Sequence, residues 1–192
     1  MAMCLMNGLI ANEESDTLDL RLIVEQYRKW IGSEPFDIDE TVNSTLGLLS
    51  DPDFTIEALR HSIEATKDST ERALDATSNS SLMRISPLAV WAASIPDVQQ
   101  HRVVISAEVG LTHGNELAHD AAFVYCQAIK YLLNHATENE KERNAFKHAK
   151  VLASKCKSGQ PCIEKETVTE WLEIAEQMVH DQTAYDDNVN LR

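Results

Sequence analysis

The stretch that decides the fold is residues 116–133, which read ELAHDAAFVYCQAIKYLL. Its apolar side chains recur at the spacing of an α-helix and so fall on one face. These in-phase residues are Leu117, Ala121, Val124, Ala128, Ile129 and Leu132. The pattern predicts a long helix.

The same periodicity extends outward in both directions. Before the central stretch, it predicts helices over residues 1–10, 18–31, 41–49, 55–76, 82–93 and 101–110; after it, over residues 138–156 and 167–178. Gly32 to Pro35 ends the second helix, Thr55 can cap the fourth, and Gly110 closes the one before the central stretch. Val103 to Ile105 is the best candidate for a strand, but it lies inside a helical period. The sequence therefore predicts an all-α, compact multi-helix domain with its helices packed in layers.

Composition narrows the possible partners. The 192 residues suit one domain, and 43% hydrophobic with 25% charged residues is ordinary for a soluble chain. The formal net charge of −14 argues against nucleic acid or an anionic membrane as the main partner. An anionic ligand would need a local donor site. The four irregularly spaced cysteines and the lack of a secretory or membrane-spanning segment predict reduced thiols in a cytoplasmic protein.

Two polar segments could carry chemistry. The break from Thr77 to Ser81, with Arg84 shortly after it, offers hydroxyl, amide and backbone N–H groups before a helix, which suits phosphate or ribose oxygens. A plain helix cap is the alternative, and Arg84 could hold either an anion or a carboxylate of the fold. His113 follows the helix end at Gly110 and could point into a cleft as a donor; taken alone, it is better interpreted as a capping or surface residue.

Other features favour structural interpretations. Residues 37–41, DIDET, have the D-x-D-x-T form of aspartyl-phosphate phosphatases, but the preceding residues cannot form the buried strand which that chemistry needs. They are interpreted as a helix-capping loop. Trp30, Trp91 and Trp171 lie in helical phase and are predicted to be core residues.

A family resemblance joins these segments. Residues 79–89, NSSLMRISPLA, resemble the N-G-[SA]-x-M-R-x-x-P-L segment of the ADP-ribosylglycohydrolase family. Leu111-Thr112-His113 is similar to its L-T-H segment, and residues 27–38 resemble its Y-x-x-W…P-F-D-I stretch. The order and spacing agree along nearly the whole chain.

The resemblance implies an all-α fold and metal-assisted hydrolysis of a glycosidic bond between ADP-ribose and a protein side chain, with two magnesium ions. ADP-ribose or an ADP-ribosylated protein is the implied partner and Mg²⁺ the implied cofactor. The residues that match the family's ADP-ribose cleft are Ser78, Asn79, Ser80, Ser81, Met83 and His113. Ser80 replaces the usual glycine, and its added bulk is expected to cost affinity.

The departures bear on activity. In the family, T-D-D-T precedes a helix like residues 1–10, and D-T-D-T lies near the C-terminus; neither motif occurs here, and no D-x-D-T is present. We therefore expect residues 1–192 to form a single partial domain, a fragment with no metal-ligating or catalytic residues of its own and inactive alone. The alternatives are a non-catalytic ADP-ribose binder or structural relative, like the family's crystallins, and a helical scaffold whose apolar ends dock onto a partner.

Overall fold

A computed structural model describes residues 1–12, 17–51, 53, 55–59, 61, 78–154 and 166–189. The longer helices are α1 (Ala2–Ala11), α2 (Leu20–Ile31), α3 (Glu40–Leu46), α4 (Ser80–Arg84), α5 (Ser86–Trp91), α6 (Val98–Val109), α7 (Glu116–Asn134), α8 (Lys141–Ser154) and α9 (Glu166–Val189). Short 3₁₀ turns follow α3 at Gly47–Ser50 and α5 at Ala92–Ser94. No strand occurs in the described ranges, which confirms the all-α prediction.

Helix α7 is the centre of the fold. Helices α4, α5, α6, α8 and α9 all pack against it, while α1 packs on α2 and on the α4–α5 segment. One hydrophobic cluster runs through these elements, from Leu5 in α1 to Val168 in α9. Phe123 and Cys126, both fully buried in α7, lie within that cluster. The stretch that first indicated a helix is thus the element around which the others are arranged.

Side-chain caps fix where several helices begin. Asp19 accepts from the backbone N–H of Arg21 at 2.9 Å, and Asp97 accepts from that of Gln100 at 2.7 Å. Asn115 caps α7 in the same way. Each such cap satisfies a backbone donor that the helix itself leaves unpaired, and it contributes about 1 kcal/mol. The caps therefore fix the residues at which the connecting segments end and these helices begin.

The crossing of α1 over α2 depends on a glycine. A Cβ on Gly8 would lie 2.8 Å from the Cα of Ile23 and 3.1 Å from its backbone nitrogen. Real Cβ atoms do not approach backbone atoms this closely, so a larger residue would push the two helices apart. The absence of a side chain at Gly8 lets Leu5 and Ile23 pack with no exposure at all.

We expect Gly8→Ala to lower the free energy of unfolding by about 1–3 kcal/mol, because overpacking outweighs the better helix propensity of alanine. Urea unfolding followed by circular dichroism measures this. Gly47→Ala is the matched control: its Cβ would meet Asn43 Oδ1 at an ordinary 3.7 Å. Equal stability of the two variants would contradict a tight α1–α2 contact.

The helix predictions hold, with local corrections. Residues 82–93 do not form one buried helix: Arg84 ends α4, Ser86 begins α5, and Met83 and Val90 are exposed. The predicted break at residues 77–81 is shorter than expected, because Ser80 and Ser81 already belong to α4. The helix closed by Gly110 begins earlier than predicted, at Val98.

The last helix brings a further correction. It is longer than predicted and extends to Val189. Trp171 was expected in the core but is 51% exposed, together with Ile174 and Met178 on the same helix. Trp30 and Trp91 do pack against the core. Most of the helix predicted over residues 55–76 lies outside the described residues, as do Thr77, Cys156 and Cys162.

Candidate functional site

The site is built on a buried ion pair between α4 and α6. Arg84 Nε donates to Glu108 Oε1 at 2.7 Å, and both side chains are at most 1% exposed. The Tyr27 hydroxyl of α2 donates to the same oxygen at 2.5 Å. Arg84 was predicted to hold either an anion or a carboxylate of the fold, and it holds the carboxylate of Glu108. Its charge is therefore already neutralised within the protein.

Hydrogen bonds connect the ion pair to the turn after α6. Arg84 Nη2 donates to Thr112 Oγ1 at 2.7 Å, and Thr112 Oγ1 lies 2.7 Å from His113 Nδ1. His119 Nε2 lies 2.7 Å from the backbone oxygen of His113, which fixes the turn from α7. His113 is fully buried. Both its backbone and one edge of its ring are thus held by residues on three helices or turns.

The other edge of the imidazole faces a pair of serine hydroxyls. His113 Nε2 lies 3.3 Å from Ser80 Oγ and 3.4 Å from Ser78 Oγ, and the two hydroxyls are 2.7 Å apart. Ser78 Oγ and Ser80 Oγ lie 3.0 and 3.3 Å from Asp39 Oδ1, within hydrogen-bonding distance. Asp39 also caps α3 by accepting from the Val42 backbone. We call Asp39, Ser78, Ser80 and His113 the hydroxyl cluster.

The electrostatics of the hydroxyl cluster follow from burial and hydrogen bonding. Burial lowers the pKa of His113 to about 4, helped by the Arg84 guanidinium and opposed by Asp39, so the imidazole is neutral at pH 7. Burial acts to raise the pKa of Asp39, but the hydrogen bonds from Ser78, Val42 and Ser80 outweigh it and hold that pKa below its usual value. The cluster therefore carries one negative charge beside neutral donors.

This arrangement suits hydroxyl groups better than phosphate. Carboxylate and serine oxygens accept from a diol, and the imidazole and serines can donate to it. A phosphate would meet the Asp39 charge, while Arg84 is already paired with Glu108. Helix α4 spans five residues, and its Ser80 N–H already contacts Ser78 Oγ. The dipole at this helix start is correspondingly weak, which favours the ribose over the phosphate alternative for this segment.

The structure places the six predicted site residues in two groups. Ser78, Ser80 and His113 come together in the hydroxyl cluster. Asn79 is exposed at the start of α4, without a side-chain cap bond, Ser81 is 1% exposed, and Met83 is 73% exposed on the outer side of α4. The hydroxyl of Ser80 was expected only to add bulk, but it contacts Ser78, Asp39 and His113 within the hydroxyl cluster.

Asp39 is the residue that the sequence interpretation missed. Its role as a helix-capping residue was predicted and is confirmed. Its second role depends on Ser78 and Ser80, which lie 39 and 41 residues away along the chain. The Y-x-x-W…P-F-D-I resemblance placed this loop in the family pattern, and that was the available signal.

The implied magnesium site does not fit the described residues. Within those residues, no group of three or more His, Cys, Asp or Glu side chains could hold a metal ion. Asp39 brings a single carboxylate into the hydroxyl cluster, whereas protein Mg²⁺ sites combine oxygen ligands with near-octahedral geometry.

Comparison with known proteins places the chain in a class. The model of the ADP-ribosylglycohydrolase family matches residues 1–189. The chain belongs to this family.

A named relative supports the same assignment. A protein of Acanthamoeba polyphaga mimivirus named as an ADP-ribosyl glycohydrolase is 28% identical over 137 residues. The match covers 69% of this chain but 37% of the relative, so the chain spans well under half of that protein's length. No solved structure matches the chain. None of the described helices is both long and apolar enough to cross a membrane.

Proposed function

We propose that this chain is the ADP-ribose-binding part of an ADP-ribosylglycohydrolase, in which the hydroxyl cluster contacts ribose hydroxyls. The observation that carries the proposal is the convergence of Asp39, Ser78, Ser80 and His113 from three separate segments onto neighbouring positions. Family membership supports the ligand class, because the family is named for hydrolysis of ADP-ribosyl bonds.

The reaction proposed for the complete enzyme is hydrolysis of the glycosidic bond between ADP-ribose and a protein side chain. In this chain, Ser78, Ser80 and His113 would orient the sugar, and Asp39 would accept from its hydroxyls. Without a carboxylate cluster among the described residues, we propose that the 192-residue chain binds ADP-ribose but does not turn over ADP-ribosylated substrate by itself.

Calorimetric titration with ADP-ribose tests the binding. We expect micromolar affinity for the chain, and a loss of about tenfold or more for His113→Ala, because a hydrogen bond inside a buried site is removed. His135→Ala is the matched control. It lies at the opposite end of α7, about 27 Å along the helix axis, and should leave affinity unchanged. Equal losses in both variants, or no binding by the parent chain, would refute the proposed site.

A hydrolysis assay tests the second half of the proposal. The chain is incubated with ADP-ribosyl-arginine, with and without Mg²⁺, and release of ADP-ribose is followed. We expect no metal-dependent turnover, even at the protein concentration at which calorimetry detects ADP-ribose binding. Clear turnover that requires Mg²⁺ would show that the chain holds catalytic metal ligands after all.

The alternative, a non-catalytic binder within the family, has one observation in its favour. The hydroxyl cluster contains one carboxylate, that of Asp39, and no group of three or more metal-ligating side chains lies among the described residues. Binding without turnover fits this chain under either description. Turnover by a longer form of the protein, under the same assay conditions, would exclude the non-catalytic alternative.

A further inference from the structure

The protons of the hydroxyl cluster can be counted. Each serine hydroxyl has one proton to donate, and an ionised carboxylate only accepts. The 2.7 Å contact between Ser78 Oγ and Ser80 Oγ needs one of the two protons, and Asp39 Oδ1 takes the other. No serine proton then remains for His113 Nε2, which lies 3.3–3.4 Å from both hydroxyl oxygens. The imidazole must donate at this edge.

The contacts at His113 Nδ1, on the opposite edge of the ring, independently place the ring proton on Nε2. The Arg84 guanidinium only donates, so Thr112 Oγ1 accepts from it and keeps its own proton. That proton has two possible acceptors: His113 Nδ1 at 2.7 Å and the Val109 carbonyl at 3.4 Å. The shorter contact directs it to Nδ1, which therefore accepts. A neutral imidazole with an accepting Nδ1 carries its proton on Nε2.

We propose that Arg84 and Thr112 are positioning residues that hold His113 in the Nε2–H tautomer, with this donor aimed at the hydroxyl cluster. The hydrogen bonds then run in one direction: from Arg84 through Thr112 to His113, and on through the serines to Asp39. Glu108 and Tyr27 hold the Arg84 end in place, because Arg84 Nε and the Tyr27 hydroxyl both donate to Glu108 Oε1. Arg84, Glu108 and Tyr27 would act on the His113 tautomer without touching a ligand themselves.

The tautomer decides what the cluster can recognise. With Nε2–H fixed, His113 can donate to a ligand oxygen that displaces either serine, whereas the Nδ1–H tautomer would present a lone pair there. Asp39, at the far end, can only accept. An oxygen acceptor is therefore directed towards His113, and a hydroxyl donor towards Asp39. The role in ligand binding rests on the proposed function, but the tautomer is a property of the free protein.

Ring nitrogen shifts of His113 in the ¹⁵N-labelled chain at pH 7 test the tautomer. We expect Nε2–H in the parent chain and in Thr112→Ser, which keeps the hydroxyl. In Thr112→Val, which removes the hydroxyl at nearly constant volume, the Nδ1–H form should appear. Affinity for ADP-ribose should fall about tenfold in Thr112→Val and recover in Thr112→Ser. A structural role alone would not change the ring nitrogen signals in this pattern.

Each outcome decides something. An Nδ1–H form in the parent chain overturns the proposal, and this measurement needs no variant. Unchanged tautomer and affinity in Thr112→Val would also overturn the role of Thr112, and Thr112→Ala replaces that variant if it fails to fold. Failure of the parent chain to bind ADP-ribose, with Nε2–H still observed, would instead refute the proposed function and leave the positioning role standing.

Discussion

Glu108→Gln is expected to lower the free energy of unfolding by about 3–5 kcal/mol. The change keeps the volume of the side chain but removes its charge, so the buried Arg84 guanidinium loses its counter-charge. Within the described structure, Glu108 Oε2 and Arg84 Nη1 have no hydrogen-bond partner, so the charge attraction is the main compensation for burying the pair. Urea unfolding monitored by circular dichroism measures the loss.

An exposed acidic residue provides the control for this prediction. Glu25 forms an i,i+4 pair with Lys29 at 3.5 Å, with both side chains more than 60% exposed. Glu25→Gln should change stability by less than about 0.5 kcal/mol, because surface pairs contribute little. A Glu108→Gln loss as small as this would mean that water reaches the Arg84–Glu108 pair. The double replacement Arg84→Met, Glu108→Leu should recover part of the lost stability, because no buried charge is left.

Stability is also expected to fall by about 5 kcal/mol between pH 7 and pH 4.5 through His101 and His113 alone. Burial lowers the pKa of each to about 4 from an ordinary 6.5. The unfolded chain takes up these protons below about pH 6.5, whereas the folded chain resists until about pH 4. The contribution is therefore complete above pH 6.5 and is lost as the pH falls towards 4.

The groups that face these histidines support the same direction. Lys130 adds to the lowering of the His101 pKa, and at His113 Arg84 and His119 add to it while Asp39 opposes. Denaturant unfolding at pH 7, 5.5 and 4.5 measures the slope. His101→Gln removes one titrating group and should about halve the loss attributed to the pair. Stability that stays level from pH 7 to pH 4.5 would contradict the buried, neutral state of both histidines.

The helices could be predicted because their signals are local. A 3.6-residue period and a capping side chain lie within a few residues of each other, as in residues 37–49, where Asp39 starts α3. Helical phase shows only that residues share a face, and not whether another element covers it. Trp171 was therefore assigned to the core from its phase, although half of its surface is exposed.

The candidate site could be predicted only in part, because its contacts join residues that are far apart in the sequence. Ser78, Ser80 and His113 were indicated by a polar break and a helix end, and a resemblance that spans the chain then assigned them to one site. Glu108 gave no signal, because a single acidic residue in a helix is ordinary and its burial depends on Arg84, 24 residues away. Asp39 was recognised as a cap, but its serine partners are set by the tertiary packing. Periodicity carries no information about such contacts.

The double engagement of Asp39 has a consequence for how this protein can change over generations. One carboxylate starts α3 through the Val42 N–H and also lies within hydrogen-bonding distance of both serine hydroxyls of the hydroxyl cluster. A replacement at this position cannot adjust the proposed ribose recognition without also loosening the beginning of a helix. Selection on the two properties therefore acts on the same codon.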